Sequence, residues 1–244
     1  MRFKLEDYDA VLFDLDGVLT KTATLHSAAW KQMFDEYLRA RSEATGEPFR
    51  EFDADDYKTY IDGKLRQDGV RSFLESRGIS LPEGSPGDAP ASETVNGLGN
   101  RKNVLVVDLI ETKGVDSFEH SIKWARRLRE TGIKTAVVSS SKNCLAALRS
   151  AEIEDLFDVR VDGVVAGQLG LPGKPAPDTF LEAAKQLGVS PERAIVVEDA
   201  ISGVESGRAG GFGLVIGVDR KGDPESLRAA GADIVVGDLS ELGE

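Results

Sequence analysis

The chain has 244 residues, of which 41% are hydrophobic and 30% charged, a composition that is globular rather than disordered and long enough for a core with an insertion. Its net charge of −12 argues against non-specific binding to nucleic acid or to an anionic membrane, so a bound anion needs positive charge supplied locally. There is one cysteine, Cys144, no apolar h-region in "MRFKLEDYDA" and no apolar run near the roughly 18–20 residues of a membrane span, which together predict a soluble, cytoplasmic protein.

In chain order, "AVLF" reads as a strand that runs directly into Asp14, Asp16 and Gly17. From about Thr22 to Lys113 the pattern changes. Amphipathic segments such as "HSAAWKQMFDEYLRA" and "DGVRSFLESRG" flank a Pro/Gly-rich loop, Leu81–Pro90, and no convincing strand is present. After Lys113 the pattern returns to alternation. Helix-like Ser117–Gly132 precedes "KTAVVSS", then "CLAALRSA", a helix over Pro177–Gly188, "AIVVED", "ISGVESGRAG", "GLVIGV" and "ADIVVGD". The strand runs are nearly continuous in Val, Ile and Leu, as in strands buried on both faces. Alternation with helices predicts an α/β fold with a doubly wound parallel sheet. The expected division is 1–21 plus 114–244 for the α/β core, and 22–113 for a helical insertion.

Asp14 and Asp16 project to the same side of an extended chain, with Cα atoms about 6.5–7 Å apart. A D-x-D-G run is by itself a common turn. At the carboxyl end of a central strand, however, it lies where open α/β sheets bind ligands. Two carboxylates there repel unless a cation neutralises them, and oxygen ligands suit Mg²⁺. Glu198 and Asp199 end a later strand in the same way. Mg²⁺ commonly shares a phosphate oxygen, which points to a phosphate compound as substrate. Donors for it are available in Ser139, Ser140, Ser141, Lys142 and Asn143, between a strand and a helix. The alternative for that run is an ordinary helix cap. Lys174, in "GKPAPD", is either held by its two prolines or simply solvated.

These four segments, in this order, resemble the haloacid dehalogenase (HAD) superfamily. The resemblance implies a Rossmann-like HAD core with a small cap domain inserted after the first strand. It makes Asp14 the nucleophile that becomes an aspartyl-phosphate, and Asp16 the general acid/base that also offers a backbone carbonyl to Mg²⁺. Ser139 matches the hydroxyl that holds the phosphoryl group, Lys174 the charge-compensating lysine, and Glu198 with Asp199 the acidic metal pair. "FDLDGVLTKTATLHSAAWK" is similar to the opening of the β-phosphoglucomutase subfamily, with Thr22, His26 and Trp30 in its characteristic places. "DGKLRQDGVRSFL" looks like the cap segment that meets substrate, which brings in Gly63, Lys64 and, for the distal phosphate, Arg66. "GNRKN" adds Lys102, and "SSSKN" adds Ser141, Lys142 and Asn143. Lys21 departs from the acidic residue many relatives carry.

The activity implied is interconversion of β-D-glucose 1-phosphate and glucose 6-phosphate through β-glucose 1,6-bisphosphate. The alternative is a sugar-phosphate phosphatase of the same superfamily, since hydrolytic relatives share the core motifs. The expected partner is a small-molecule sugar phosphate, with no nucleic acid and no membrane, and the chain is expected to be a monomer. His120 and Cys144 read as structural.

Overall fold

The computed structural model describes residues 4–242. Its elements run β1 (Ala10–Phe13), α1 (Ala23–Thr45), α2 (Ala54–Asp56), which continues as a π-helical turn over Tyr57–Ile61, α3 (Arg66–Ser76) and α4 (Val95–Lys113). They continue with α5 (Glu119–Glu130), β2 (Lys134–Val138), α6 (Cys144–Ser150), β3 (Val159–Val161), α7 (Gly163–Leu169) and α8 (Asp178–Leu187). The chain ends through β4 (Ala194–Glu198), α9 (Ile201–Ala209), β5 (Leu214–Val218), α10 (Pro224–Ala230) and β6 (Ile234–Val236). Contacts divide it into two compact units. Among the described residues, one holds 4–22, Gly63–Leu65 and 115–242; the other holds Ala23–Asp62 and Arg66–Gly114. Among the described residues no helix is long and apolar enough to cross a membrane.

The first unit is a six-stranded parallel sheet in the order β3-β2-β1-β4-β5-β6. β1, β4 and β5 are buried along their whole length. Alternate side chains therefore feed two separate cores. Val11, Phe13, Ile195, Val197 and Ile216 pack with residues of α5 and α6 on one face. Ala10, Leu12, Val196 and Val215 pack with residues of α8, α9 and α10 on the other. The sequence pattern anticipates five of the six strands. It misses β3, three residues long with Arg160 at its centre, too short and too polar for an apolar run.

Register is what places the site. Phe13 pairs with Val137 on one side and Val197 on the other. The residues that follow, Asp14, Val138 and Glu198, therefore emerge together at the carboxyl end of the sheet. The strand order reverses between β1 and β4, the position where doubly wound sheets open a ligand crevice.

The second unit is helical. On α1 the buried Trp30, Met33, Phe34, Tyr37 and Leu38 recur at helical spacing and form one apolar stripe. That stripe packs with Phe52, Ile61, Phe73 and Leu98. Phe34 is at the centre, its ring 5.3 Å from Trp30, 5.1 Å from Phe52 and 4.2 Å from Phe73. The alanine variant of Phe34 removes a fully buried ring from this cluster and is expected to cost about 3–5 kcal/mol in urea unfolding. A loss below about 1 kcal/mol would mean that the ring cluster does not hold this unit together.

Candidate active site

Asp14 and its neighbours are placed by strand ends. Asp14 continues β1 by donating its backbone N–H to Val197 O at 2.9 Å, and it is 6% exposed. Lys174 reaches it from the loop before α8. Its Nζ donates to Asp14 Oδ1 at 2.6 Å, to Glu198 Oε1 at 2.5 Å and to Val138 O at 3.1 Å. All three N–H bonds of the ammonium are thus used, at 2% exposure. Of the two readings open to this lysine, held or solvated, the structure shows it held.

Electrostatics follow from this burial. Loss of water pushes the Asp14 carboxyl well above the usual carboxylate range, Lys174 opposes that, and Glu198 and Asp16 add to it. Burial also works against the Lys174 ammonium, but Asp14 and Glu198 outweigh it and hold the proton more tightly than usual. Asp14, Glu198 and Asp199 bring one oxygen each to within 4.8 Å of one another, and all three are buried. One ammonium against three carboxylates leaves negative charge in a dry site. Hard oxygen donors around such a deficit fit a divalent cation. The three carboxylates are not equivalent. Glu198 Oε2 already accepts from the N–H groups of Asp199 and Ala200 at 3.0 and 3.1 Å, so Glu198 meets a cation only as an additional acceptor.

Asp16 lies on a short hydroxyl chain. Thr22 Oγ1 donates to Asp16 Oδ1 and is 2.7 Å from Thr20 Oγ1, which donates to Leu15 O at 3.1 Å. Thr20 and Thr22 are both buried. Gly17 turns the chain with φ +94°, and a Cβ there would come within 2.1 Å of Asp199 Oδ2. Arg220 ties this loop to the far end of the sheet, Nε donating to Gly17 O at 2.7 Å and Nη1 to Gly237 O at 2.9 Å.

Ser139 is 2% exposed, and its Oγ accepts from Ser141 N at 3.1 Å, which leaves the hydroxyl proton to be donated. Ser141 Oγ in turn accepts from Asn143 N at 3.1 Å at the start of α6. This part of "SSSKN" is therefore also a helix-start turn. Gly63 belongs with the sheet unit by its contacts, as does Lys64.

A second group forms within the helical unit. Lys102, 5% exposed, has its Nζ 2.9 Å from His26 Nδ1 and 4.9 Å from the centre of the Trp30 ring. An ammonium can only donate, so this contact fixes the His26 proton on Nε2. Arg66 Nη1 donates to Gly99 O at 3.1 Å, and burial lowers its pKa. It is not a freely solvated surface charge. The sequence reading gave no role to Thr20 or Arg220. Thr20 closes the same "DGVLT" run as the aspartates, whereas no local signal links Arg220 to Gly17, 203 positions away.

Replacing Lys174 with Met leaves Asp14 and Glu198 buried without their cation, and is expected to cost about 3–5 kcal/mol at pH 8 in chelator. In the variant the Asp14 carboxyl, which burial already pushes up, gains a proton more readily folded than unfolded, so the deficit should shrink as pH falls toward 5. Urea unfolding at the two pH values checks this. Unchanged stability at pH 8 contradicts the arrangement.

Residues 8–211 match the family described as haloacid dehalogenase-like hydrolase. A protein of Mycobacterium tuberculosis (strain CDC 1551 / Oshkosh) named Beta-phosphoglucomutase is 52% identical over 241 residues, covering 97% of this chain and 92% of its own. A Beta-phosphoglucomutase of Bacillus subtilis (strain 168) is 33% identical, covering 96% of this chain and 91% of its own. The crystal structure of a β-phosphoglucomutase from Clostridium difficile superposes with a TM-score of 0.75 at 26% identity, covering 97% of this chain and 93% of that one. A sheet whose switch point gathers an aspartate pair, a buried lysine and an acidic pair, in a chain this similar along its length, belongs to the haloacid dehalogenase-like hydrolase family, in its β-phosphoglucomutase-like branch.

Proposed function

We propose that the protein is a Mg²⁺-dependent β-phosphoglucomutase. It interconverts β-D-glucose 1-phosphate and glucose 6-phosphate by way of β-glucose 1,6-bisphosphate. The observation that carries this reading over a phosphatase is the 52% identity, across nearly the full length of both chains, to a protein named Beta-phosphoglucomutase. A relative named Phosphorylated carbohydrates phosphatase stands at 29%.

In this reading Asp14 attacks phosphorus and carries the phosphoryl group as an acyl phosphate. A carboxylate is a weak nucleophile, so the charge that develops on the transferring oxygens has to be met by fixed partners. Lys174 meets it with an ammonium already at Asp14, and Ser139 with its remaining hydroxyl proton. Asp14, the Asp16 backbone carbonyl and Asp199 would hold Mg²⁺, with Glu198 behind them. Bound there, the cation supplies charge neutralisation at the phosphoryl oxygens. Asp16 gives a proton to the leaving sugar oxygen and takes one from the attacking hydroxyl. The Thr22 and Thr20 hydroxyls suit that exchange. Thr22 Oγ1, donating to Asp16 Oδ1, orients the carboxyl for it. Ser141, Lys142 and Asn143 flank the phosphoryl position. In the helical unit, Arg66 and the His26–Lys102 pair beside Trp30 serve the remote end of the bisphosphate, with Gly63 and Lys64 in the segment that contacts the sugar. The sheet unit acts as core and the inserted unit as cap.

The test is ³¹P NMR of β-glucose 1-phosphate with Mg²⁺ and a trace of the bisphosphate. Glucose 6-phosphate should accumulate, excess chelator should stop it, and Asp14→Asn should abolish it. With Asp16→Asn the rate should fall by about 10²–10⁴. Accumulation of inorganic phosphate alone would contradict the mutase reading.

A further inference from the structure

Within "SSSKN" the hydroxyls have different tasks. Ser139 and Ser141 accept from nearby backbone N–H groups, but Ser140 Oγ donates to Gly63 O at 2.7 Å, a residue 77 positions earlier. Gly63–Leu65 is flanked on both sides by the helical unit, yet it belongs to the sheet unit by its contacts. It is fitted closely there. Gly63 has φ +73°, and a Cβ on it would lie 2.3 Å from Ser202 Oγ and 3.1 Å from Ala200 Cβ. A Cβ on Gly173 would lie 2.4 Å from Leu65 Cγ. These three residues therefore rest on three loops at once: the one that presents Ser139, the one that follows Asp199 and the one that presents Lys174.

We propose that Ser140 is a specificity-determining latch, whose hydroxyl holds Gly63–Leu65 against the phosphoryl site and keeps water from the acyl phosphate. The proposal rests on the phosphoryl-transfer reading above and concerns which acceptor is used. A sugar hydroxyl and water react alike. The acceptor oxygen bonds to phosphorus, the P–O bond to Asp14 breaks, the carboxylate leaves with the electron pair, and the acceptor's proton passes to Asp16. The chemistry does not discriminate between them, so access must. A hydroxyl anchored to a backbone carbonyl supplies a hold on this segment that is strong enough to keep it in place and weak enough to release product. Loss of one neutral hydrogen bond corresponds to about a 3- to 10-fold change in such an equilibrium.

The test compares wild type, Ser140→Ala and Ser140→Thr by two readouts. Hydrogen–deuterium exchange of the peptide that contains Gly63–Leu65 reports the hold itself. The ratio of inorganic phosphate to glucose 6-phosphate formed from β-glucose 1-phosphate primed with a trace of β-glucose 1,6-bisphosphate, by ³¹P NMR, reports water entry. Ser140→Ala should speed the exchange and raise the ratio, each by about 3- to 10-fold, and Ser140→Thr should restore both. Unchanged exchange would show that the bond does not hold the segment. Faster exchange with an unchanged ratio would show that the segment does not exclude water. Wild type that yields only inorganic phosphate overturns the mutase reading. A wild type that interconverts the sugars while Ser140→Ala alters neither readout overturns the latch alone.

Discussion

The Lys174 ammonium, buried between Asp14 and Glu198 with its third N–H on Val138 O, is the interaction on which the site depends. It joins the ends of three adjacent strands: β1 through Asp14, β2 through Val138 and β4 through Glu198. A charge this dry is tolerable only with every donor satisfied, here by two buried carboxylates and one backbone carbonyl. The same cation that bridges these strand ends also lies beside the carboxylate proposed as the nucleophile. Fold and chemistry share one contact.

Everything else at the site is arranged around the charge this leaves. The sheet order opens a crevice between β1 and β4, and the in-register parallel pairing brings Asp14 level with Glu198. Asp199 is pressed against Gly17, where no side chain fits. Arg220 and the Thr20–Thr22 hydroxyls then hold the Asp16 loop from two sides. Across a chain of net charge −12, the site concentrates acid further and answers it with one buried lysine, which is why a divalent cation and a phosphoryl group are the partners that suit it.

The parts legible in the sequence were those with local causes. Val- and Ile-rich runs that end in acids mark β1 and β4 because burial on both faces and a crevice at the carboxyl end both leave a composition signature. Phe180, Ala184 and Leu187 recur at helical spacing on α8, which stops at Gly188 as that spacing predicts. On α1 the stripe from Trp30 to Leu38 is equally plain. What was not legible depends on distant parts of the chain. A lysine between glycine and proline does not by itself announce burial, and β3 is too short to show a period. α4 begins with Gly97 and Gly99 and was not singled out as a helix, although Thr94 caps it by accepting from Gly97 N. The Ser140–Gly63 and Arg220–Gly17 bonds join residues 77 and 203 positions apart, a relation that only the folded chain reveals.

The central claim is that Asp14, held by Lys174, is the group that carries phosphorus. It is tested most directly by trapping that group. Protein incubated with β-glucose 1,6-bisphosphate and Mg²⁺ is quenched and treated with borohydride, which reduces an acyl phosphate to the alcohol and so converts a phosphorylated aspartate to homoserine. Mass spectrometry of the tryptic peptide spanning residues 5–21, which contains Asp7, Asp9, Asp14 and Asp16, then locates the change. Homoserine at position 14 alone, absent from Asp14→Asn and from protein without bisphosphate, is the result expected. Homoserine at position 16, or none in protein that is turning over, would contradict the account.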